Sequence, residues 1–123
     1  MRGMARVTLY HNPGCSKSRG ALEILRQDRV DHQVVEYLKQ PLDRETLERM
    51  LALLPDPPQA LVRFDKRFAE LGLDADGYRS AEAVVELLLE HPELMQRPVA
   101  AVPDRAVIAR PSDRVREILQ EST

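Results

Sequence analysis

In Val7-Thr-Leu-Tyr-His-Asn-Pro-Gly-Cys-Ser-Lys-Ser-Arg19 an alternating apolar run gives way to a helical pattern at a single cysteine. Residues 5–11, which run into it, alternate with Val7 and Leu9 on one face and are rich in β-formers. Pro13-Gly14 breaks that strand. From Ser16 to about Asp28, Ala21, Leu22, Ile24 and Leu25 then make an apolar stripe at helical spacing. Cys15, the only cysteine of the 123 residues, stands at the junction. A cysteine where a helix begins sees the positive end of the helix dipole and free backbone N–H groups, both of which favour thiolate. The alternative is an inert, buried thiol, the commoner state of a lone cysteine. The rest of the chain has to decide between them.

Outward from this stretch, His32-Gln-Val-Val-Glu-Tyr-Leu38 reads as a second strand closed by Gln40-Pro41, which completes a βαβ unit with a right-handed crossover. A block of helices follows, roughly 42 to 91. Asp43 is its first N-cap, with Leu47, Met50, Leu51 and Leu54 at i, i+3, i+4, i+7. After Pro55-Asp-Pro-Pro58, the spacing of Leu61, Phe64, Phe68 and Leu71 predicts a second helix ending at Gly72. Ser80 starts a third, with Val84, Leu87 and Leu88 inside, stopped by His91-Pro92. Pro98-Val102 and Ala106-Ala109 are short strands around a hairpin signal at Pro103-Asp-Arg105, and Arg110-Pro-Ser-Asp113 opens a final helix with Val115, Ile118 and Leu119 inward. The order is β-α-β, helical insert, β-β-α. We expect one α/β domain over residues 4–120 with a thioredoxin-like fold.

Composition excludes several functions. A net charge of −2 gives no footprint for nucleic acid or an anionic membrane, and no apolar run approaches the ~20 residues of a membrane span. The N-terminus does not read as a signal peptide, so the expected location is cytoplasmic. With one cysteine no internal disulfide forms, so any redox cycle through Cys15 needs a thiol from elsewhere. Cysteine-cluster metal sites are excluded, and the scattered His32 and His91 read as structural; no metal and no bound cofactor are expected. Of 18 basic residues only three are lysine, so an arbitrary arginine here is a solvated surface charge.

Tyr10-His-Asn-Pro-Gly-Cys-Ser-Lys-Ser-Arg19, Ala60-Leu-Val-Arg63, Glu70-Leu-Gly-Leu73, His91-Pro92, Arg97-Pro98 and Arg110-Pro111 resemble, in order and over almost the whole chain, the ArsC family of glutaredoxin-coupled arsenate reductases, in particular its short members. One departure is that Arg63 to Leu71 is a residue shorter than the family's spacing, with Phe68 where a tyrosine is common. The resemblance implies reduction of arsenate to arsenite with glutathione as co-substrate and glutaredoxin as partner. It implies Cys15 as the catalytic cysteine, Arg63, Arg97 and Arg110 as the arginines that hold the oxyanion, His11 as the histidine beside the cysteine, and a cis peptide before Pro98.

Those residue types suit the chemistry. A thiolate approaching arsenate is an anion attacking an anion, and guanidinium forks both neutralise it and pair with two oxygens at once. Lys17 and Arg19 add positive potential beside Cys15 as secondary candidates. His11 serves either as an imidazolium lowering the thiol pKa or as a neutral acceptor of its proton. Asn12 orders the loop and is expected among the substrate-binding residues. Ser18 either donates to the thiolate or caps the helix, with capping slightly favoured. Two other functions use the same frame. One is an Spx-type regulator that binds RNA polymerase, against which stand Ser18 in place of a second cysteine and the His11-Asn12-Pro13 loop. The other is a monothiol reductase of a different anionic electrophile.

Overall fold

The computed structural model describes residues 7–119; residues 4–6 and 120, the ends of the expected domain, lie outside the described residues. The chain divides into two compact units, one of residues up to Gln40 together with those from Arg97 onward, the other Pro41–Gln96. The helical block read at 42 to 91 falls within the second.

The first unit holds strands β1 (Val7–His11), β2 (His32–Glu36), β3 (Val99–Val102) and β4 (Arg105–Ile108), in the sheet order β2-β1-β3-β4. β2 runs parallel to β1 and is reached through helix α1 (Ser16–Gln27); β3 and β4 are antiparallel. This is the thioredoxin-like α/β arrangement that the element order implies. Strand alternation puts Val7, Leu9 and His11 on one face of β1, all buried. Val7 and Leu9 join Ala100, Val107, and Ala21 and Leu25 of α1 in a core closed by Val115 and Ile118. The buried stripe of α1 begins one turn earlier than its apolar residues, at Ser18, which is fully buried.

α1 ends on Asp28, and Arg29 adopts φ 55°, while the Val30 N–H reaches the Leu25 carbonyl at 2.9 Å. This is the left-handed helix stop that glycine fills without strain. An arginine there costs roughly 1 kcal/mol. Arg29→Gly is expected to stabilise the protein by about 0.5–1 kcal/mol, read as a higher denaturant midpoint at unchanged slope.

Several boundaries differ from expectation. β2 stops at Glu36 because a turn begins there, its carbonyl accepting from the Lys39 and Gln40 N–H groups. β3 and β4 each begin one residue after and before the expected starts, so that only Pro103 and Asp104 form the hairpin turn. The last helix is a 3-10 helix, Ser112–Leu119, although Val115 and Ile118 are buried as expected.

In the second unit, α2 (Arg44–Leu53) starts on Asp43, which accepts from the Thr46 N–H at 2.9 Å, and α4 (Ala81–Glu90) on Ser80, which accepts from the Ala83 N–H at 3.1 Å. Arg44 of α2 pairs with Glu86 of α4. The helix expected from Leu61 to Gly72 is broken. A 3-10 turn covers Pro58–Leu61, and α3 spans only Lys66–Glu70. Between them Val62 bridges Met95 and the Arg63 N–H bonds the Leu94 carbonyl at 2.7 Å, while Asp65 caps α3. Phe64 therefore sits outside a helix, 45% exposed, with its ring edge-on to Phe68 at 4.9 Å. Gly72, at φ +71°, ends the segment as expected.

Candidate active site

Cys15 is the N-cap of α1, in extended backbone (φ −107°, ψ 126°), at the end of a tightly held loop. The Asn12 carboxamide oxygen accepts from the Gly14 N–H at 2.9 Å, and the Asn12 carbonyl accepts from the Cys15 N–H at 3.0 Å. Arg19, one turn into the helix, donates from Nη1 to the Pro13 carbonyl at 2.9 Å. Ser18 Oγ accepts from the Asn12 N–H at 3.3 Å. The loop's polar groups are thus spent on fixing the position of one sulfur.

Strand register brings the arginines there. β1 pairs with β3 so that Tyr10 faces Val99; continuing outward sets Asn12 opposite Arg97. β3 pairs with β4 so that Val99 faces Ile108, which sets Pro98 opposite Ala109 and Arg97 opposite Arg110. Both contacts exist: the Ala109 N–H bonds the Pro98 carbonyl at 2.9 Å, and Arg110 Nη1 donates to the Arg97 carbonyl at 2.9 Å. The Arg97-Pro98 peptide is cis, as the resemblance implies, and so is Arg110-Pro111. Two arginines 13 residues apart in sequence therefore share the end of the sheet with the cysteine loop.

Burial pushes the Cys15 thiol up, but the donors around it win and hold it at about 7. Those donors are the Ser18 backbone N–H, the Arg97 side chain, the Lys17 backbone N–H and the Ser18 hydroxyl. The neutral thiol closes no capping hydrogen bond of ordinary geometry; these groups act on the sulfur by favouring its charged form. Against a free thiol near 8.5, about half the molecules carry thiolate at neutral pH. His11 goes the other way: burial lowers its pKa, Glu36 opposes this, and Arg19 and Arg26 lower it further. The ring is therefore neutral at neutral pH. Its Nδ1 is buried with no hydrogen-bond partner among the described residues.

Cys15, His11, Asn12, Ser18, Arg97 and Arg110 thus come together in the first unit. Arg63 belongs to the second, where its guanidinium pairs with Asp65 at 2.9 Å. Ser18 does not cap α1, contrary to the slight preference for that role. It is the third helical residue, and its hydroxyl faces Asn12 and the sulfur instead. His32 contacts the Val30 carbonyl at 2.7 Å and His91 contacts Glu93 at 3.2 Å. Ser112 and Gly20 carried no signal in the sequence, since the fold brings them together; Asp65, which accepts from the Phe68 N–H three residues on and pairs with Arg63 two residues before, has a local signal as a helix cap. Among the described residues no helix is long and apolar enough to cross a membrane, and no group of three His, Cys, Asp or Glu side chains is placed to hold a metal ion.

Comparison with known proteins bears on the fold and the family. The chain is 42% identical over 117 residues to the arsenate reductase of Rhizobium meliloti (strain 1021), covering 94% of this chain and 83% of that protein. It is 39% identical over 116 residues to the Escherichia coli (strain K12) protein YfgD, covering 93% and 97%. The structure of an arsenate reductase from Vibrio cholerae superimposes with a TM-score of 0.83 at 35% identity, over 94% of this chain and 99% of that one. A model of the ArsC family matches residues 10–118, from the strand before the cysteine loop, past both Arg-Pro pairs, to the last buried turn. Whole-chain identity, fold and family match lead to one placement: this protein belongs to the ArsC family.

Proposed function

We propose that this protein reduces arsenate to arsenite through the Cys15 thiolate, with glutathione and glutaredoxin supplying the electrons. The observation that carries the reading is a lone thiol held near pKa 7 beside Arg97, with Arg110 bonded to the Arg97 carbonyl, at a loop built to position it. The names of the relatives support arsenate as the oxyanion. The absence of a second cysteine supports an external reductant.

The thiolate of Cys15 forms a sulfur–arsenic bond, and one arsenate oxygen leaves as water once protonated. Arg97 and Arg110 neutralise the oxyanion during the approach, and Asn12 keeps the loop in place. Neutral His11 takes up the thiol proton in molecules not already ionised. Glutathione then adds to arsenic and displaces a second water. A glutaredoxin thiolate attacks the glutathione sulfur; that sulfur's bonding pair stays on arsenic, which passes from As(V) to As(III), and a mixed disulfide leaves. Water releases arsenite and returns the Cys15 thiol. Two thiols are consumed per arsenate, giving one disulfide, arsenite and one net water. Such a cycle belongs in a glutathione-reduced compartment, the cytoplasm.

The test is direct. Purified protein with arsenate, glutathione and glutaredoxin is expected to form arsenite, and Cys15→Ser to form none. No arsenite from the wild-type protein, in a coupling system shown to be competent with another reductase, sinks the arsenate reading.

A further inference from the structure

Ser112 lies 95 residues from its hydrogen-bond partner, and nothing in the proposed reaction uses it. Its hydroxyl donates to the Lys17 carbonyl at 2.8 Å. That carbonyl and the Ser18 N–H are the two ends of one planar peptide group. Ser18 is the third helical residue after the Cys15 N-cap, and its N–H is the one an N-cap acceptor ordinarily receives. A carbonyl has two lone pairs, so the helix's own bond to Lys17 leaves room for a second donor. The close approach also depends on Gly20: a Cβ there would stand 2.6 Å from Ser112 Oγ and 3.1 Å from its Cβ.

We propose that Ser112 is a positioning residue for Cys15, acting through the Lys17–Ser18 peptide, and that Gly20 is the opening that lets it reach that peptide. A donor on the carbonyl draws electron density toward its oxygen and sharpens the positive end of the same peptide's N–H. The route runs from the Ser112 hydroxyl through the Lys17 carbonyl to the Ser18 N–H, which makes no hydrogen bond to the neutral thiol but favours the sulfur's charged form. The Ser18 N–H is the strongest of the groups favouring the Cys15 thiolate. Ser112 also follows the Arg110-Pro111 turn directly, so the same bond ties the arginine turn to the first turn of α1. The charged and titratable groups on the elements that meet at the sulfur are His11 at the end of β1, Lys17 and Arg19 in the first turns of α1, Arg97 before β3 and Arg110 after β4; Ser112 changes none of their charges.

This inference rests on Cys15 being the reacting group but needs no arsenate, so it is tested by alkylation. The rate of Cys15 modification by iodoacetamide is measured from pH 5.5 to 9.5 on the full chain. Ser112→Ala is expected to raise the midpoint by about half a pH unit, a loss of roughly threefold in rate at pH 6, with rates converging at pH 9.5. Gly20→Ala, which keeps the hydroxyl but forces it away, is expected to raise the midpoint in the same direction. A midpoint unmoved in both variants, even with a lowered melting temperature, overturns the proposal, because Ser112 would then be a brace only. Alkylation that keeps its wild-type midpoint while arsenite formation falls in Ser112→Ala overturns it as well, since the bond would serve Arg110 and not the thiol.

Discussion

Replacing Arg97 by alanine is expected to move the alkylation midpoint of Cys15 up from about 7 by roughly half to one pH unit, and to lower kcat/KM for arsenite formation about 100-fold. The two effects have different origins. The guanidinium favours the sulfur's charged form, so its loss leaves less thiolate at low pH. The sign follows directly: alkylation slows most near pH 6 and matches wild type once both proteins are fully ionised. The larger loss in turnover follows from the proposed reaction, in which the same group also meets the oxyanion and two negative charges approach each other in a partly buried site. Arg97→Lys separates them. A point charge retains part of the lowered midpoint but loses the planar fork, so turnover is expected to stay well below wild type. An Arg97→Ala variant with an unchanged midpoint and unchanged turnover would remove Arg97 from the site.

Leu25→Ala is expected to cost about 3 kcal/mol of folding stability, lowering the urea midpoint at unchanged slope. Leu25 is fully buried in the first unit's core, where α1 meets the sheet and the 112–119 turn, and its carbonyl also anchors the helix stop through Val30. For a protein whose total stability is of order 5–15 kcal/mol, this is a large share. The site should be spared: the Cys15 alkylation midpoint is set by the first turn of α1 and the arginines, two turns away. A midpoint that shifts with Leu25→Ala below the unfolding transition would show that the helix start depends on the core more than its own hydrogen bonds indicate.

Much of this molecule could be read from local signals. Asp43 and Ser80 cap their helices because a short side-chain oxygen can satisfy an N–H three residues on, a relation contained within four residues of sequence. Cys15 at a strand-to-helix junction is equally local. The failures share a different cause. Phe64 and Phe68 have helical spacing, but tertiary hydrogen bonds to residues 94 and 96 outcompete the helix between Val62 and Asp65. The charge state of His11 depends on burial under α1, which spacing does not report. Ser18 reads as a cap by residue type, whereas its full burial directs the hydroxyl to the loop and the sulfur. Ser112 and Gly20 meet only in the folded chain.

The hairpin turn at Pro103-Asp104 holds none of the site residues, yet it fixes which residue of β4 stands opposite each residue of β3. One residue inserted there would slide the ladder, reverse the faces of β4 and part Arg110 from Arg97. A length change at this remote tip is therefore equivalent to a point mutation beside the cysteine loop. An insertion at an exposed turn such as Leu38–Lys39 is expected to be tolerated, whereas one at the hairpin is expected to disturb the cysteine site.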